Sequence, residues 1–188
     1  MIYGVNSGKQ CICIEINWRP NKENNNKKIN AKIHLRFDDN SGNSYEMNEE
    51  SDVEYREREY RVCGLGLEIE SPFRRKRIKF RGYLKKNNKE LVYIQFRFLW
   101  FAVSKVYDFT HDFDDYFIAK ELSKCQKLEN SNQFEDRFEQ FGQMKGTFKE
   151  ESDPQKELYF WGSISKKYLS SEPIERRIIR ICGFNKKG

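Results

Sequence analysis

No apolar run in this 188-residue chain is long enough to cross a bilayer. The N-terminus, Met1-Ile2-Tyr3-Gly4-Val5-Asn6, lacks the basic flank and apolar stretch of a secretory signal. These two absences lead us to expect a cytoplasmic protein without a membrane partner. Nucleotide chemistry leaves no signature either. There is no G-x-x-x-x-G-K-[ST] loop and no G-x-G-x-x-G loop, and Gly64-Leu65-Gly66 is too short to cradle a phosphate. No G-x-S-x-G elbow occurs. Cysteine is scattered, with Cys11, Cys13, Cys63, Cys125 and Cys182 forming no C-x-x-C pair. An odd count without that spacing excludes a zinc ribbon or a complete disulfide framework and predicts reduced, mostly buried thiols.

Apolar residues are also scarce, at 37% against 34% charged. Aromatics reach 15%, so the core is expected to lean on Phe and Tyr. Lys and Arg number 35 against 29 Asp and Glu, and the net +6 is a weak attraction to anionic partners. Neither repeats nor an interdomain linker divide the chain, and it reads as a single β-rich domain over residues 1–188.

What is present is a period of two. Ile12, Ile14, Ile16 and Trp18 alternate with Cys11, Cys13, Glu15 and Asn17. Ile33, Leu35 and Phe37 do so again over residues 29–37, beyond an asparagine-rich loop at residues 21–28. Asp38-Asp39-Asn40-Ser41-Gly42-Asn43 signals a turn into a short strand near residues 44–47. A strand is expected over residues 60–70, ended by Ser71-Pro72, and another over residues 74–84. Lys86-Asn87-Asn88-Lys89 turns the chain into Val92, Ile94, Phe96, Phe98 and Trp100, the longest apolar stripe, so these two segments are expected to pair as a hairpin. Helical spacing occurs once, at Phe117, Ile118, Leu122 and Cys125 within residues 114–126. Strands resume over residues 139–149, 158–165 and 174–184. Asn185-Lys186-Lys187-Gly188 reads as a hairpin turn without a returning strand. The fold class expected is mainly β, a curled antiparallel sheet forming a lipocalin-like barrel or sandwich with one short helix. Closure is expected to need strands beyond Gly188, the chain being the N-terminal part of a longer architecture or a shortened relative of it.

Three clusters invite chemistry. Arg74-Arg75-Lys76-Arg77, with Lys79 and Arg81, looks basic enough for nucleic acid, and Phe73, Phe80 and Tyr83 could stack. Strand alternation instead turns Ile78 and Phe80 inward and leaves the cations as a solvated face, so nucleic acid is not expected as a partner. His111, Asp112, Asp114 and Asp115 fit no zinc or calcium spacing; neither a metal nor a cofactor is expected. Glu135, Asp136 and Glu139 could serve as acid and base, yet Arg137 among them favours strand-end salt bridges.

The segment Phe138-Glu139-Gln140-Phe141-Gly142-Gln143, followed by Gly146, is the most specific in the chain. Together with Tyr3-Gly4-Val5-Asn6, the turn from Gly42 to Tyr45, Gly64-Leu65, the basic strand ending at Gly82 and the strand from Phe96 to Ala102, it resembles the N-terminal region of phosphoenolpyruvate synthase-like proteins of arthropods and bacteria. That region is lipocalin-like, of the AttH/CrtC kind. The relatives' later motif G-x-R-D-H-S-(F/W)-G is replaced here by Gly162-Ser163-Ile164-Ser165-Lys166-Lys167-Tyr168-Leu169, which keeps only the glycine and an aromatic. The resemblance implies a non-catalytic binding or accessory module taking a small apolar ligand and associated with the phosphotransferase domains of a longer parent. Arg137, Glu139, Gln140 and Gln143 would be polar groups at a pocket mouth, and Trp100 and Trp161 its apolar lining. The alternatives are a hydratase- or isomerase-like enzyme with Glu139 as acid or base, and a fragment of an ATP-dependent phosphotransferase acting on pyruvate. The second would need ATP-grasp, swivel and pyruvate-binding regions, none of which fits in this chain.

Overall fold

The computed structural model describes residues 1–20, 29–108, 111–112, 116, 137–151 and 153–167. It contains twelve strands: β1 (Ile2–Val5), β2 (Cys11–Pro20), β3 (Ile29–Asp38), β4 (Ser44–Asp52), β5 (Glu54–Arg56), β6 (Glu59–Val62), β7 (Leu65–Ser71), β8 (Arg75–Lys86), β9 (Glu90–Ala102), β10 (Tyr107–Asp108), β11 (Arg137–Glu150) and β12 (Lys156–Lys167). Eight of them close into an antiparallel barrel in the circuit β1-β2-β3-β4-β8-β9-β11-β12. Each strand in that ring neighbours the next one used in sequence, giving the up-and-down meander of a lipocalin-like barrel. Strands β5, β6 and β7 are an insertion between β4 and β8, and β10 lies in the connection between β9 and β11.

Closure does not wait for strands beyond Gly188. The pairing of β12 with β1, from Ile2 opposite Ile164 to Val5 opposite Trp161, seals the ring. Sequence patterning missed β1 because four residues are too few to show a period. The strand expected over residues 60–70 is really two, β6 and β7, folded back on each other. Cys63 and Gly64 both take positive φ, at 46° and 78°, and make the reversal between them. A Cβ on Gly64 would lie 2.4 Å from the Arg81 carbonyl oxygen, so the turn needs glycine for space as well as for backbone freedom. The expected hairpin of β8 and β9 is present over twelve register pairs, turned by left-handed Asn87 and Asn88. The helical expectation at residues 114–126, the strand at residues 174–184 and the loop at residues 21–28 fall outside the described residues, apart from the single position Tyr116.

The weak point of the ring is between β4 and β8, which share only two register pairs, Tyr45–Lys86 and Glu46–Lys85. Beyond them β7 takes over the edge of β8. Polar contacts tie this seam to β11, two strands beyond β8 in the circuit. The Tyr45 hydroxyl and the Lys86 ammonium both donate to the Glu150 carboxylate, each at 2.7 Å, joining β4, β8 and β11.

Alternation decides what fills the barrel. Ile12, Ile14, Ile33, Leu35, Ile78, Leu84, Ile94 and Phe98 are all fully buried, as are the rings of Phe37, Tyr45, Trp100 and Phe160. Strands β3 and β11 stand opposite each other in the eight-membered circuit. Phe37 of β3 nevertheless stacks on Phe148 of β11 with ring centroids 4.4 Å apart. Phe160 meets both Phe37 and Phe98 edge-on. At this level the lumen is therefore packed with side chains, as the interior of a small barrel can be.

Candidate functional site on the outer wall

The six candidate site residues do not converge. Trp100 points into the barrel, 2% exposed, with the Lys76 ammonium 4.4 Å above its ring and its indole nitrogen buried without a hydrogen-bond partner. Desolvation alone pushes the Lys76 ammonium below the usual lysine range. Gln140 is also buried, and its amide nitrogen donates to the carbonyls of Phe73 (2.8 Å) and Ser104 (3.0 Å), clasping the segments on either side of the β8–β9 hairpin. Arg137 donates to Glu139 at 3.0 Å, the strand-end ion pair that their order in sequence favours. Gln143 and Trp161 stand opposite each other on the solvent side of β11 and β12. Trp100 and Trp161 thus lie on opposite faces of the wall.

The other clusters resolve into local structure. His111 Nδ1 lies 2.9 Å from the Asp108 carboxylate, whose backbone N–H in turn donates to Asp112. Among the described residues no group of three or more His, Cys, Asp or Glu could hold a metal ion. Asp114, Asp115, Glu135 and Asp136 lie outside the described residues, as do Cys125 and Cys182. Cys11, Cys13 and Cys63 are unbridged and half-buried instead of buried. Burial and the nearby Asp38 carboxylate push the Cys11 thiol up to about 11, so it is a poor nucleophile at neutral pH.

A different arrangement stands out on the outer face of β6 to β9 and β11. Antiparallel register places outward residues in rows across the strands. Arg77 of β8 is level with Leu99 of β9 and Lys145 of β11. The next row is Lys79, Arg97 and Thr147, and the one beyond is Arg81, Gln95 and Lys149. Two rows of like charge side by side are destabilising unless something offsets them. Part of the offset is built in. Glu68 accepts from Lys79 at 3.0 Å and from Arg77 at 3.2 Å, and Glu70 pairs with Arg75 and Arg77. Hydrogen bonding from Lys79 holds the Glu68 carboxyl below its ordinary range, and Arg61 does the same for Glu59. Among the described residues no carboxylate is paired with Arg81, Arg97 or Lys149.

These side chains line a groove of about 1140 Å³ whose floor includes the wall residues Phe96 and Phe98. Among the described residues seven cations line it, Arg61, Arg77, Lys79, Arg81, Arg97, Lys145 and Lys149, against the carboxylates Glu54 and Glu59. The basic run of β8 was visible in sequence, but the contributions of β9 and β11 were not. Arg97, Lys145 and Lys149 are single charges in strands whose alternation marks only their outward direction. Register alone brings them beside Lys79 and Arg81.

No family model, curated protein or solved structure matches the chain.

Proposed function

We propose that this chain is a non-catalytic binding module whose ligand is anionic and lies in the groove on the outer wall of the barrel. The observation that carries this reading is the excess of cations around one groove among the described residues, seven against the lining carboxylates Glu54 and Glu59 and the neighbouring Glu68 and Glu70, in a chain whose whole net charge is only +6. Three of those cations lack a carboxylate partner among the described residues, so an anion would relieve repulsion already present in the fold. A binding role also agrees with an accessory β-domain of a phosphoenolpyruvate synthase-like protein, the parentage that the sequence resemblance implies. Two features favour the outer wall over an apolar ligand in the lumen. The rings of Phe37 and Phe148 touch across the barrel, and Trp100 and Trp161 face opposite ways. An enzymatic role for Glu139 is less favoured, because Arg137 already engages its carboxylate.

Isothermal titration with inorganic polyphosphate and, separately, with an uncharged apolar dye tests the reading. Polyphosphate is expected to bind, and the double variant Arg97→Glu/Lys149→Glu to lose that binding while keeping its fold by circular dichroism. Binding of the dye with no heat from polyphosphate would instead return the ligand to an apolar pocket.

A further inference from the structure

Aromatic side chains flank the cationic rows at both ends. In the row before Arg77, Phe101 of β9 is level with Gln143 of β11, which is level with Trp161 of β12. Phe101 and Trp161 are 39% and 45% exposed. Tyr159, paired with Lys145, is half exposed, and the Lys145 ammonium sits 4.9 Å from its ring centroid. At the other end, beyond the row of Arg81, Gln95 and Lys149, Tyr83 and Tyr93 pair edge-to-face at 5.3 Å, with Tyr83 61% exposed.

Resting on the anion-binding reading above, we propose that the ligand of this wall is single-stranded nucleic acid. Its phosphates would lie over Arg81, Arg97 and Lys149, and its bases would stack on Trp161 and Phe101 at one end and on the Tyr83–Tyr93 pair at the other. The combination of cations without a carboxylate partner among the described residues and exposed rings distinguishes this ligand from a simple polyanion, which needs only the charges, and from a duplex, whose base faces are already stacked. Dimensions agree. From Tyr93 to Phe101 the strand runs about 27 Å, at roughly 3.4 Å per residue. That is room for a short oligonucleotide near the low end of the 4 to 16 nucleotides, roughly, that an OB-fold covers. The basic run of β8 read alone is a solvated face. It becomes a nucleic-acid surface once β9 and β11 add Arg97 and Lys149 and β12 adds Trp161.

The test is fluorescence anisotropy of the full chain with a labelled 15-nucleotide oligothymidylate, repeated with oligouridylate, a 15-base-pair duplex and inorganic polyphosphate. Neutralising three phosphates gives a salt slope of about −2, or roughly a 20-fold loss of affinity between 50 and 200 mM salt. Arg81→Glu/Arg97→Glu is expected to weaken both oligonucleotide and polyphosphate at least tenfold. Phe101→Ala/Trp161→Ala, which removes two stacking rings, is expected to weaken the oligonucleotides alone, by about 30-fold or more, and to leave polyphosphate within twofold. All four positions are solvent-exposed, and thermal melts are the check that each variant keeps its fold. If the ring variant binds oligonucleotide as well as the wild type does, or the duplex binds as tightly as the single strand, the nucleic-acid assignment fails and the anion-binding reading survives. If neither polymer binds, or charge reversal changes nothing, both fail.

Discussion

Truncating Phe37 to alanine tests the claim that the barrel is packed instead of hollow. The ring is 1% exposed and touches Tyr45, Phe148 and Phe160, which come from three other strands. A buried Phe removes about 150–250 Å² from water. Alanine forfeits roughly two thirds of that, which at ~25 cal/mol per Å² is about 3 kcal/mol. A cavity that the closed ring of strands cannot collapse raises the expected loss to about 3–5 kcal/mol. Because total stability is of order 5–15 kcal/mol, Phe37→Leu is the companion variant, expected to cost about 1 kcal/mol with an unchanged m-value. Urea unfolding followed by circular dichroism measures both. The alanine variant should also take up a benzene-sized apolar probe that the wild type excludes. A loss below about 1 kcal/mol for Phe37→Ala, equal to that for Phe37→Leu, would mean that the rings do not meet across the barrel, and an interior ligand site would have to be reconsidered.

Two further substitutions separate structural from functional roles. Gln140→Ala leaves the carbonyls of Phe73 and Ser104 without their donor and is expected to cost about 1–3 kcal/mol in the same urea assay. Unchanged stability with altered binding would make Gln140 a ligand contact after all. Asp39 closes the β3–β4 turn by accepting from the Ser41 and Asn43 N–H groups and from the Asn43 amide. Burial works to raise its pKa, but those hydrogen bonds outweigh it and hold the carboxyl below its ordinary range. Its contribution is therefore complete above the ordinary carboxylate pKa and is lost as pH falls through the folded-state value. The Tm gap between wild type and Asp39→Asn should be constant near neutrality, begin to narrow below about pH 4 and close only below the lowered folded-state value. A gap that does not narrow at all as pH falls through and well below the ordinary carboxylate range would show that the charge plays no part.

Strand type and direction were legible from residue order because alternation is a local property. Ile12 and Ile14 of β2, and Phe96, Phe98 and Trp100 of β9, face inward as their spacing requires. The β8–β9 hairpin was equally readable, since two adjacent stripes and an Asn-Asn turn need nothing distant. The β6–β7 reversal was obscured because Cys63 stands in a left-handed conformation that its residue type does not advertise. The candidate site was less legible. Gln140 and Gln143 belong to one motif, yet successive strand positions face opposite sides, so an inward and an outward residue were grouped together.

Residue order by itself determined an aromatic, alternating β-chain and the inward or outward sense of its side chains, because a period of two needs only near neighbours. Tertiary structure decided that β12 closes on β1, that Phe37 meets Phe148 across the lumen, and that Lys79, Arg97 and Lys149 share one patch of wall. Each of these depends on which strands pair and in what register, and pairing is settled between segments far apart in the chain.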